Sequence, residues 1–99
     1  MKMSEILSAL SNPVRLNILT WLKEPSRHFP AQNDNAPENG ICVTHIQEKT
    51  GLSQSTISLY LATLQRADLV RSQRVGQWTY YSLNRDVVAA FIAGLAERL

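Results

Sequence analysis

Apolar residues recur along this 99-residue chain in two rhythms, and the switch between them divides it. Met3, Ile6, Leu7 and Leu10 follow the i, i+3, i+4, i+7 spacing that gathers apolar groups on one helical face, which predicts a short amphipathic helix. Asn12 beside Pro13 combines an N-cap with a proline at the first helical position and opens a second helix to about Lys23. Its Val14, Leu16, Ile18, Leu19, Trp21 and Leu22 cover more than one face, which places it centrally in the core. From Glu24 to Gly40 the rhythm lapses. Pro25, Pro30, Pro37, the run Asn33-Asp34-Asn35 and Gly40 surround a lone Phe29, and this composition predicts a flexible loop at about 24–40.

Ile41, Cys42 and Val43 form a short β-prone run. Thr44, with Gln47 three positions on, fits a capping box and predicts a short helix that ends near Thr50, where Gly51 suits a left-handed C-cap. Ser53 then caps a further helix from Gln54 to about Ala67. After Asp68 the period changes from helical to alternating. Val70 to Arg74 and Trp78 to Leu83, rich in β-branched and aromatic residues, flank Val75-Gly76-Gln77 and predict a β-hairpin. Asn84 caps a last helix with a broad stripe of Val87, Val88, Phe91, Ile92, Leu95 and Leu99. The expected fold is mainly α with a small β-hairpin, in the order α-α-(β)-α-α-β-β-α, as one domain over residues 1–99.

Two helices joined by a tight glycine turn, followed at once by a hairpin, correspond to a winged helix-turn-helix, in which the second helix enters the DNA major groove. On a helical wheel Ile57, Leu61 and Leu64 point inward, while Ser55, Leu59, Ala62 and Arg66 lie opposite. Short polar side chains let a helix approach base edges, and an exposed Leu59 suits a thymine methyl. The expected base-reading residues are therefore Gln54, Ser55, Thr56, Ser58 and Leu59, with Tyr60 flanking them. Arg66, Arg71, Arg74 and Gln77 suit phosphates or the minor groove.

Charge and chemistry narrow this picture without deciding it. A net charge of +2 permits nucleic-acid binding without demanding it. The single cysteine, Cys42, excludes an internal disulfide and a two-cysteine redox switch. No apolar run approaches the roughly 20 residues that cross a bilayer, so the chain reads as cytoplasmic with no membrane partner. Two histidines and scattered carboxylates show no catalytic spacing, so no enzyme and no cofactor is expected. A winged-helix module for protein association that does not read DNA sequence stands as the alternative.

Leu10-Ser11-Asn12-Pro13-Val14-Arg15-Leu16-Asn17-Ile18-Leu19 resembles the A-L-x-[DN]-P-x-R-L-x-I-L signature of the ArsR/SmtB-type repressors. Gly51 to Ser58, Leu61, Leu64, Ala67-Asp68-Leu69-Val70 and Gly76 to Leu83 are similar to that family's recognition helix and wing. The resemblance spans nearly everything but the 24–40 loop. It implies a homodimer that packs its first and last helices together, binds a pseudo-palindromic operator on double-stranded DNA, and is released by a small inducer. Met3, Ile6, Leu7, Leu10, Val88, Phe91, Ile92, Leu95 and Leu99 are the expected dimer interface. Metal-sensing members carry Cys-Val-Cys-Asp where this chain has Cys42-Val43-Thr44-His45. The alternative zinc site needs histidines on the last helix, which offers only Asp86 and Glu97. His28 lies in the loop beside Arg27. No metal site is expected, and the residues name no inducer.

Overall fold

The computed structural model describes residues 2–99. Helices α1 (Met3–Leu10) and α2 (Pro13–Lys23) meet at a joint built by two side chains. Asn12 Oδ1 accepts the N–H groups of Val14 at 2.9 Å and Arg15 at 3.1 Å, so the first turn of α2 has its free donors satisfied. Arg15 turns back, its Nε donating to Ala9 O at 2.7 Å and its Nη2 to Ser8 O at 3.3 Å. One short motif thus opens one helix and closes another, and its cation sits at the negative end of the α1 dipole.

The 24–40 segment has more structure than its composition suggests. It holds a one-turn helix, α3 (Pro25–His28), and two closed turns, with Ala36 N–H donating to Asn33 O and Gly40 N–H to Pro37 O, both at 2.9 Å. Phe29 is buried edge-on against Trp21, with ring centroids 6.3 Å apart, and the Lys49 ammonium lies 5.1 Å from the Trp21 ring. Gln32 pins the middle of the segment. Its Oε1 accepts Cys42 N–H at 3.0 Å, and its Nε2 donates to Pro30 O at 2.8 Å and stands 2.9 Å from His45 Nδ1.

Strand β1 (Ile41–Cys42) runs straight into α4 (Val43–Thr50). The expected Thr44 capping box does not form. Cys42, extended at φ −61 and ψ 139, is the N-cap, which puts Thr44 inside the first turn, and no side chain caps this end. The other end behaves as read: Gly51 takes φ 71 and its N–H donates to Gln47 O at 3.0 Å. Helix α5 (Gln54–Arg66) follows, capped by Ser53 Oγ, which accepts Thr56 N–H at 3.2 Å.

Strands β2 (Val70–Val75) and β3 (Trp78–Leu83) pair antiparallel from Val70↔Leu83 to Val75↔Trp78. That register leaves Gly76 and Gln77 as a two-residue loop, and the positive φ of 62 at Gly76 followed by an ordinary Gln77 matches a type II′ hairpin. β1 pairs with the other side of β3, giving the order β1-β3-β2. Helix α6 (Arg85–Arg98) closes the chain. Asn84 occupies its N-cap position but makes no cap bond. Its Nδ2 donates instead to Asp68 O at 2.9 Å and its N–H to Leu69 O at 2.9 Å. The turn after α5, left-handed at Asp68 with φ 63, presents a carbonyl that takes the donor end of this amide and fixes the side chain so that Oδ1 is buried without a partner instead of accepting an N–H of the helix.

Ile6, Ile18, Leu22, Ile46, Ile57, Leu61, Leu64, Leu69 and Val70 are fully buried, so the core lies where α1, α2, α4 and α5 meet the sheet. Ile6 and Phe91, expected at a dimer interface, belong to this intrachain core at 0% and 6% exposure. Each sits on the inward side of an amphipathic helix, which the stripe alone does not distinguish from an intersubunit side. Among the described residues no helix is long and apolar enough to cross a membrane.

Candidate nucleic-acid interface

Helix α5 presents two unlike sides. Ile57, Leu61 and Leu64 are wholly buried, and this anchors the helix by one stripe. Gln54, Ser55, Ser58 and Leu59 are exposed along its first turns, with Thr56 half-buried between them. Leu59 stands out at 68% exposure. A small hydroxyl network orders the N-terminus: Ser53 Oγ donates to Thr56 Oγ1 at 2.9 Å and lies 3.2 Å from Ser55 Oγ. Thr63 folds its hydroxyl onto Leu59 O at 3.0 Å, an ordinary helical back-bond that keeps the middle of the helix polar but quiet.

Tyr60, expected beside the base-reading residues, faces the joint between α1 and α2. Asn12 Nδ2 donates to its hydroxyl at 3.3 Å, and the Arg15 guanidinium lies 5.3 Å from its ring centroid. Its geometry is that of a strut holding the outward face of α5 at a set angle. Its place in the chain set Tyr60 beside the base-reading residues, and no periodicity signals a partner 48 positions away.

The hairpin extends the exposed face. Cross-strand partners share a face, so Ser72 and Arg74 stand with Tyr81 and Thr79, on the side of the sheet that meets α5. Gln65 Nε2 donates to Ser72 Oγ at 3.0 Å, tying the end of α5 to β2. Sequence reasoning passed over this pair, because neither residue breaks the pattern of a solvated surface. Arg66 is exposed near Thr63, with Nη2 3.5 Å from Thr63 Oγ1, and Arg74 Nε donates to Gly76 O at 3.2 Å over the turn. Gln77 is exposed at the tip. Arg71, by contrast, shares the opposite face with Ser82 and lines a depression with Glu38, Asn39, Arg85 and Asp86. The structure therefore puts Arg74 on the sheet face that Ser72 ties to α5, leaves Arg66 on α5 itself and Gln77 at the tip, and sets Arg71 on the other face.

The other candidate chemistry is inert by geometry. Cys42 is buried, and the half-buried His45 already meets the Gln32 amide through Nδ1. Among the described residues no three His, Cys, Asp or Glu side chains cluster as metal ligands, and Cys42 with His45 is too small a donor set for a soft metal. Burial raises the Tyr81 phenol above its ordinary 10.0.

On the outside of the helical layer, Leu7, Ile92 and Leu99 are 47%, 59% and 96% exposed, and Arg98 Nη1 reaches Met3 Sδ at 3.5 Å, which joins α6 to the start of α1. Met3, Leu10, Val88 and Leu95 are partly buried behind them.

Residues 38–72 match the family model described as bacterial regulatory protein, arsR family. An uncharacterized HTH-type transcriptional regulator of Bacillus subtilis (strain 168) is 45% identical over 85 residues, 85% of each chain. The transcriptional repressor SdpR of the same organism is 30% identical over 86 residues, covering 87% of this chain and 80% of SdpR. Among solved structures, the homodimeric winged helix-turn-helix DNA-binding domain Mb0332 of Mycobacterium bovis is 26% identical with a TM-score of 0.67, over 96% of this chain and 76% of that one.

Proposed function

Because the chain belongs to the ArsR family of bacterial regulatory proteins, we propose that it is a transcriptional regulator that binds double-stranded DNA as a homodimer and represses by occupying its operator. The observation that supports this reading is an exposed, small and polar helix face followed by an exposed hairpin tip, with Gln65 of α5 hydrogen-bonded to Ser72 of β2. Gln54, Ser55, Thr56, Ser58 and Leu59 read base edges in the major groove, with Leu59 against a thymine methyl. Arg66, Arg74 and Gln77 meet phosphates or the adjacent minor groove and set the register. Arg71 acts at most as a distant positive charge.

A two-fold dimer formed through Leu7, Ile92 and Leu99, with Met3, Leu10, Val88 and Leu95 behind, presents two copies of α5 to successive major grooves about 34 Å apart, hence a pseudo-palindromic site. The protein works in the cytoplasm, where its DNA is. No metal enters this reading, since the donor set does not fit one.

Enrichment of binding sequences from random duplexes at two salt concentrations, with sedimentation analysis of the same preparation, tests it. A two-fold-related motif and a dimer are expected. A monomer, or binding with no enriched sequence at either salt, rejects the reading in favour of a module that associates with protein.

A further inference from the structure

The strap between α3 and β1 contributes nothing to a helix-turn-helix as such, and residues 24–37 lie outside the span matched by the family model. It nevertheless docks on a defined surface. β3 alternates its side chains, so Trp78 and Tyr80 share the face that points away from α5, and the strap packs against that face, burying Tyr80 while Trp78 stays 42% exposed. Gln32 holds Cys42 N–H, and Asn33 Nδ2 donates to Tyr80 OH at 3.4 Å, leaving Tyr80 only 2% exposed. From these anchors the chain runs alongside the hairpin and reverses in the turn Asn33–Ala36. Asn33 and Asn35 enclose, with Val75, Gly76, Gln77 and Trp78, a cleft of about 330 Å³. The reversal therefore stands beside the hairpin tip, at its level, with Asn33, Asp34 and Asn35 all exposed.

We infer that the Asn33–Ala36 turn is a second DNA-contacting element, a companion to the wing that engages the sugar-phosphate backbone just outside the segment read by α5. The inference rests on the reading that the hairpin tip meets DNA. Whatever duplex surface lies against Gly76 and Gln77 passes within reach of a turn that shares a cleft with them. The chemistry of the turn suits that neighbour. A carboxamide offers two donors and an acceptor on a short stem, and so binds phosphate and sugar oxygens without the counterion release of a lysine contact. Asp34, between the two asparagines, repels phosphates and limits approach to the flanking amides. The turn thus adds register more than salt-dependent affinity.

The test uses the full chain and the duplex enriched above, with Asn35→Ala, Asp34→Asn and, as a control on the wing, Arg74→Ala, each checked for an unchanged melting curve. Asn35 is not among the residues that anchor the strap, so its truncation leaves the docking intact. Asn35→Ala is expected to weaken binding about three- to tenfold and to erase backbone protection at the outer edge of each half-site in a hydroxyl-radical footprint. Asp34→Asn is expected to tighten binding about two- to fivefold at low salt, with the gain fading as salt screens the charge. If Arg74→Ala weakens binding while both turn variants leave affinity and footprint unchanged, the turn does not touch DNA and the inference fails alone. If Arg74→Ala is also silent, the wing reading falls and the inference with it.

Discussion

Replacing Arg15 by alanine tests the account of why the Asn12-Pro13-Val14-Arg15 joint exists. The side chain makes a short hydrogen bond to Ala9 O at 2.7 Å and a longer one to Ser8 O at 3.3 Å, and covers Tyr60 at 5.3 Å. A partly buried hydrogen bond from a charged donor contributes about 1.5–3 kcal/mol, and the longer, exposed one adds little. A cation over a partly exposed ring adds about 0.5–1 kcal/mol, and a positive charge at a helix C-terminus about 0.3–1 kcal/mol. One guanidinium supplies all of these, so they overlap, and a loss of about 2–3 kcal/mol is expected. At about 4–8 °C per kcal/mol for a domain of this size, that is a fall in Tm of about 8–24 °C. The assay is urea unfolding at one fixed protein concentration, because dimerisation makes stability concentration-dependent. The midpoint falls while the slope is unchanged. Arg15→Lys keeps the charge but lacks the fork, and recovers less than half of the loss. A loss under about 0.5 kcal/mol, or full rescue by lysine, refutes the joint as described.

Other outcomes follow from the same geometry. Gly40→Ala places a Cβ 2.8 Å from Pro37 Cγ and 3.2 Å from Tyr80 Cβ, so it strains the strap and costs about 1–3 kcal/mol in thermal or chemical unfolding. Arg74→Ala lowers affinity for all duplexes alike and reduces the salt dependence by about 0.9 in log–log slope, measured by titration at several salt concentrations. Leu59→Ala leaves unfolding unchanged, because the side chain is 68% exposed, but relaxes the preference for thymine at one position of each half-site in a repeated enrichment. Because burial raises the Tyr81 phenol, the folded state holds that proton more tightly than the unfolded chain. Its contribution is therefore fully present below the unfolded value of 10.0 and declines as pH rises past it, visible as a falling Tm in alkaline buffer.

Local rules placed most of the elements, and the places where they failed share a cause. Asn12, Gly51 and Ser53 act on backbone groups within a few residues, and each makes the bond that its position predicts. Thr44 and Asn84 carry the same kind of signal and make no such bond. Asn84 is claimed by the turn at Asp68, 16 positions earlier, and the helix boundary near Thr44 is moved by the pairing of Cys42 with Tyr80. A cap is a local preference of about 1 kcal/mol, and partners brought by the packing of other elements override it, at Asn84 even though its Oδ1 is left buried without a donor. The one-turn helix at Pro25 and the burial of Phe29 escaped notice for a related reason. A lone aromatic in a proline-rich stretch has no periodicity, and only the Trp21 edge it meets gives it a place in the core.

The candidate site divides along the same line. Exposure on α5 is a property of one helix against one core, so the wheel separates Ile57, Leu61 and Leu64 from Ser55, Ser58 and Leu59 without knowledge of the rest. Partnership is not such a property. Tyr60 belongs to the joint at Asn12, Arg71 is turned away by the strand register, and Gln32 and Asn33 meet their partners across the sheet. Each of these assignments depends on which elements pack together, and none alters the hydrophobic pattern of its own segment. The strap shows this most sharply. Its polar composition marks it as free of the core, yet its amides are what hold it: Asn33 meets Tyr80 on the back of the hairpin, and Gln32 satisfies the N–H of Cys42 in β1, 10 residues on. Polar side chains that read as solvent-loving in sequence are here the means by which a segment without an apolar stripe acquires a fixed position, and that position is beside the hairpin tip.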